Sequence, residues 1–100
     1  MSGNLAAFEA SAAEAARMLK ALANERRLLI LCQIADGERS VGSLDVDLSQ
    51  SALSQHLALL REEGLVKTRR ESQTILHSIA NPDVLKIIKT LADIYCPDPR

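Results

Sequence analysis

Aromatic residues are nearly missing from this chain: one phenylalanine, Phe8, one tyrosine, Tyr95, and no tryptophan in 100 residues. A single-stranded nucleic acid platform built from stacked rings is therefore excluded, while duplex binding stays open. No run approaches the roughly 18 to 20 apolar residues that cross a bilayer, and residues 1–10 lack the basic start and apolar core of a signal peptide. A cytoplasmic chain with no membrane partner is expected. Neither sign of charge dominates, with 12 Lys and Arg against 13 Asp and Glu. This excludes a polybasic arm or an acidic tail and confines any basic patch to one spot. Cysteine is limited to Cys32 and Cys96, which in a reducing compartment are thiols rather than a structural disulfide. There is no glycine-rich phosphate loop, no paired acid–base site and no triad-like set, so an enzyme is not expected.

What the sequence does have is a 47% share of hydrophobic residues. That is enough for one small domain over residues 1–100, with apolar surface left for a second subunit to cover. Phe8, Ala12, Ala15, Leu19 and Leu22 recur at helical spacing and predict a helix over residues 5–23. Asn24 is a capping residue for a second helix that contains Cys32 and stops near Gly37. On its wheel Cys32 shares a face with Leu28, Leu31 and Ala35, which predicts that the thiol points toward packing rather than water. Ser40 is expected to cap a short third helix over residues 41–48, and Ser49 a fourth over residues 50–63, ended by Gly64. Two capped helices with almost no linker make a helix-turn-helix over residues 40–64.

Beyond Gly64 the period changes. Residues 65–69 and 74–79 read as two strands around a turn at residues 71–73, a wing over residues 65–80. Asn81, Pro82 and Asp83 open a closing helix that runs to about Cys96. Its stripe of Val84, Ile88, Leu91 and Tyr95 is widened by Leu85, Ile87, Ala92 and Ile94 beyond what a small monomer covers. Dimerisation is accordingly expected through residues 1–23 and 81–96. The fold class is mostly α (α+β), a dimeric winged helix-turn-helix with about five helices and a two-stranded wing.

Three segments carry a family likeness: Leu22-Ala23-Asn24-Glu25-Arg26-Arg27-Leu28, Leu48-Ser49-Gln50-Ser51-Ala52-Leu53-Ser54-Gln55-His56-Leu57 and Leu60-Arg61-Glu62-Glu63-Gly64-Leu65-Val66. Over nearly its whole length the chain resembles the bacterial ArsR-type winged-helix repressors. The placement of Cys32 and Cys96 narrows this to the BigR/SqrR/HlyU-like dithiol branch. The resemblance implies a repressor of double-stranded operator DNA that needs no cofactor and responds to reactive sulfur species or oxidants through one cysteine in the second helix and one in the last. Between Gly42 and Ser49 the chain is about half a turn shorter than the family pattern.

Short polar side chains on a recognition helix suit a major groove, because glutamine pairs with adenine edges and serine serves a base or a phosphate. By resemblance Gln50, Ser51, Ser54, Gln55 and His56 take this role, with Ser49 near a phosphate; His56 equally suits a structural hydrogen bond at the helix-turn-helix seam. The wing holds three cations, Lys67, Arg69 and Arg70, against the one carboxylate of Glu71. Arg69 or Arg70, with Gln73 at the tip, is expected to meet phosphate or the minor groove. Taken singly, each cysteine is most often a small core hydrophobe, and neither gains thiolate character from its own helix. A metal-responsive repressor is the first alternative, although no metal site is assigned and the family's usual thiolate position reads Ser40-Val41-Gly42-Ser43-Leu44. The second is a ligand-independent regulator or antirepressor.

Overall fold

A computed structural model of the chain describes residues 5–95. The elements in chain order are α1 (Leu5–Leu22), α2 (Glu25–Ile34), β1 (Arg39–Ser40), a single 3-10 turn (Val41–Ser43), α3 (Gln50–Glu62), β2 (Val66–Glu71), β3 (Thr74–Ile79) and α4 (Pro82–Tyr95). Local chemistry explains most of these bounds. The Asn24 side chain accepts from the backbone N–H groups of Arg26 and Arg27 at 3.0 and 3.1 Å. Ser49 Oγ accepts from Ala52 N at 3.1 Å, and Asn81 Oδ1 from Asp83 N at 2.8 Å. Each satisfies donors that a helix start leaves over. Gly64, at φ +75, ends α3 in a Schellman arrangement, with Leu65 N donating to Leu60 O at 2.9 Å.

Among the described residues there are four α-helices rather than five. The helix expected over residues 41–48 is reduced to one 3-10 turn, and Ser40 makes no side-chain cap bond because it lies in β1. Side chains take up the backbone groups that a helix would have paired. Gln33 Oε1 accepts from Asp45 N at 2.7 Å, and Gln33 Nε2 donates to Asp45 O at 2.9 Å. Arg39 holds both the hydroxyl and the carbonyl of Ser43, and Ser43 Oγ donates to Ser40 O at 2.8 Å. Gly42 adds an entropic bias against helix, and Ser43 competes for backbone groups in the way serines do.

The wing gains a third strand. The sheet order is β1-β3-β2, antiparallel throughout, with Arg39 opposite His77 and Arg69 opposite Leu76. Strand β2 extends to Glu71, so the connection is the two residues Ser72 and Gln73, with Ser72 in the left-handed region at φ 60. The core gathers Ile30, Leu31 and Ile34 of α2, Leu53, Leu57 and Leu60 of α3, Val66 of β2, and Val84 and Ile88 of α4. Their stripes converge because α2 packs on both α3 and α4, and α3 on β2. Over the described residues the result is a winged helix-turn-helix of four helices and a three-stranded antiparallel sheet. Among the described residues no helix is long and apolar enough to cross a membrane.

Candidate nucleic-acid interface and thiol groove

Helix α3 has two faces set by its 3.6-residue period. Leu53, Leu57 and Leu60 are buried, while Gln50, Ser51, Ser54 and Gln55 are exposed on the other side. Ser49, also exposed, places its hydroxyl at the start of the helix, where free backbone donors and the dipole favour an anion. His56 sits apart from this polar face. It is half-buried, and its Nδ1 lies 3.4 Å from a guanidinium nitrogen of Arg27, whose Nε donates to Ala21 O at 2.6 Å. A guanidinium only donates, so Nδ1 is the acceptor and the ring is turned toward the junction of α1, α2 and α3.

On the wing, Arg70 and Gln73 are exposed, and Arg70 forms no ion pair among the described residues. Arg69 is engaged: Nε and Nη2 donate to the two oxygens of Glu38 at 2.7 and 2.9 Å, and Nη2 to Glu71 at 2.9 Å. These bonds raise the guanidinium pKa and lower that of Glu38. The structure thus adds Glu38 to the wing, a residue that sequence reasoning missed because it lies 31 positions from its partner.

Cys32 is exposed in the chain, which corrects the expectation that it faces packing. Leu31, its neighbour on α2, takes the fully buried position, and Cys32 opens onto an apolar groove of about 480 Å³ between α2 and α4. Leu28, Leu29, Ile88, Leu91 and Tyr95 line the same groove. Cys96 lies outside the described residues, and in sequence it follows Tyr95 directly. Among the described residues no group of three His, Cys, Asp or Glu is placed to hold a metal ion.

His77 was not singled out as a site residue, yet it is 3% exposed. Its Nδ1 is buried without a hydrogen-bond partner among the described residues. Burial, with a smaller effect from the positive charge of Arg61, pushes its pKa below the ordinary imidazole value. The remaining surface feature is apolar. Leu5, Phe8 and Leu19 of α1 and Ile94 and Tyr95 of α4 are at least half exposed.

Comparison with known proteins places this geometry. Residues 24–68 match the family described as "Bacterial regulatory protein, arsR family". The chain is 52% identical over 95 residues to the transcriptional activator HlyU of Vibrio cholerae, covering 93% of this chain and 88% of that protein. The solved structure of reduced HlyU from the same organism superposes with a TM-score of 0.85 at 51% identity, over 92% of this chain and 99% of the other. The transcriptional repressor BigR from Xylella fastidiosa gives a TM-score of 0.82 at 35% identity, over 91% and 95%. A Mycobacterium bovis protein, Mb0332, whose domain is described as a homodimeric winged helix-turn-helix, gives 0.74 at 34% identity, over 94% and 89%. With its recognition helix, its wing and these relatives, the chain belongs to the ArsR family and is a transcriptional regulator.

Proposed function

We propose that this regulator is a homodimeric repressor that binds operator DNA while reduced and releases it when Cys32 and Cys96 are oxidised or bridged by reactive sulfur. The observation that carries the reading is the exposure of Cys32 in the α2–α4 groove that Tyr95, the residue before Cys96, also lines. In the proposed chemistry the Cys32 thiolate attacks the outer sulfur of a persulfide, leaving a Cys32 persulfide and releasing the donor's thiolate. The Cys96 thiolate then attacks the inner, Cys32-bound sulfur, forming a disulfide and expelling hydrosulfide. Two equivalents of an external thiol reverse the link, oxidised in turn to their own disulfide. The bridge would fix α4 against α2 and thereby alter the spacing of two recognition helices across a dimer, which must match successive major grooves.

Duplex binding is supported by the exposed polar face of Gln50, Ser51, Ser54 and Gln55 with Ser49 at its head. Dimerisation is supported by the exposed apolar residues of α1 and α4 and by the homodimeric state stated for the Mb0332 domain. Repression follows the description of BigR, and a cytoplasmic location follows from the DNA partner.

The test is affinity for DNA from the protein's own promoter at fixed salt, measured for reduced protein and for protein treated with a persulfide donor. Treatment is expected to weaken binding at least tenfold, about 1.4 kcal/mol of coupling, with recovery on reduction. Cys32→Ser and Cys96→Ser should each bind as the reduced protein does and ignore the donor. A Cys96→Ser protein that still releases DNA sinks the dithiol mechanism, and unchanged wild-type binding leaves a metal-responsive repressor or a ligand-independent regulator.

A further inference from the structure

Of the three wing cations, Arg69 alone is held by carboxylates on two sides among the described residues. Both oxygens of Glu38 accept from it in a fork-to-fork pair, and Glu71 takes a second bond from Nη2, with all three contacts between 2.7 and 2.9 Å. This is the geometry in which a guanidinium pairs most specifically with a carboxylate. The strand register explains how the cluster assembles. Lys67, Arg69 and Glu71 alternate on one face of β2, whereas Thr68 and Arg70 lie on the other. Glu38 comes just before β1, on the far side of β3, and is also within the field of Lys67. Ion pairs this exposed add little to stability. What they change is the positive charge that the wing can offer to a polyanion.

We propose that Glu38 and Glu71 hold Arg69 as an internal ion cluster, leaving Arg70 rather than Arg69 as the wing's phosphate contact and making Glu38 a restraint on phosphate binding. The inference rests on the reading of the chain as a duplex-binding protein. Sequence-independent affinity comes from phosphates neutralised by cations, and each one contributes a slope of about 0.9 in a plot of log affinity against log salt. Per contact this amounts to about a threefold loss of affinity between 50 and 200 mM salt. Keeping one arginine occupied removes that increment from every DNA sequence alike. Arg69 then acts as a positioning residue that ties β2 to the segment before β1.

The experiment is a salt titration of binding to a mixed-sequence duplex of about 30 base pairs, long enough for two half-sites one helical turn apart. Arg70→Gln is expected to flatten the slope by about 0.9, and Arg69→Gln to leave it unchanged. Glu38→Gln should steepen it by up to about 0.9, so that its affinity falls up to about threefold more than the wild type's between 50 and 200 mM salt. The double variant Glu38→Gln with Arg69→Gln should return to the wild-type slope, because the gain acts through the released arginine. Arg69→Gln flattening the slope as much as Arg70→Gln overturns the assignment, as does steepening that persists in the double variant. If the wild-type protein binds neither this duplex nor its own promoter, the duplex reading itself fails, an outcome distinct from either of these.

Discussion

Two single residues define what acid and truncation would do to this protein. His77 is buried with an Nδ1 unsatisfied among the described residues, and its pKa in the fold lies below the ordinary 6.5. The unfolded chain therefore binds a proton that the folded one refuses, so stability should fall as pH drops below about 6.5. Chemical denaturation at pH 7.5 and 5.5 checks this: His77→Leu should lessen the difference and add about 1 kcal/mol by removing an unpaired buried polar atom. No lessening would show that other groups set the acid response. Asn24 offers a simpler case. Its side chain serves two backbone donors, and Asn24→Ala should cost about 1 kcal/mol in thermal or urea unfolding.

At the scale of elements, the segment between β1 and α3 depends on a side chain from α2. Gln33 pairs with both backbone groups of Asp45, and Asp45 lies five residues before the start of α3. Gln33→Ala should cost about 1 to 2 kcal/mol, two neutral hydrogen bonds' worth. It should also weaken duplex binding, because the recognition helix loses a fixed approach. Unchanged affinity would mean that Ser49 and the leucine face position α3 without help. The same contact shows why this segment was illegible: its backbone is satisfied from twelve residues away, and no local pattern records that. Asn24, Ser49 and Asn81 cap within three residues and were all readable. Strand β1 has two residues, too few to express a period. The polar face of α3 was legible because periodicity assigns faces, and the branch of Arg69 toward Glu38 was not, since it crosses the sheet. Cys32 fell between these cases. The wheel grouped it with Leu31, yet Leu31 is fully buried and Cys32 exposed, because one residue's step around the helix separates the core from the groove.

The molecule as a whole leaves one side of α1 and the end of α4 uncovered, with Phe8 50%, Leu19 56% and Ile94 60% exposed. Such an apolar surface suits a second copy related by a two-fold axis. Leu19→Glu is expected to shift the protein toward monomer in sedimentation and to weaken promoter binding at least tenfold, since one recognition helix would engage alone. A dimer that survives this change would place the contact elsewhere. The sheet order β1-β3-β2 has a further consequence. Strand β2 is an outer strand of six residues, with one row of backbone donors and acceptors unpaired, the kind of edge on which other chains assemble into aggregates. Lys67, Arg69, Arg70 and Glu71 all lie along that strand, and charged side chains are how sheets discourage such pairing. The residues proposed to meet or withhold contact with DNA would then also guard the wing against its own copies, so stripping its charge to tune binding would trade affinity for solubility.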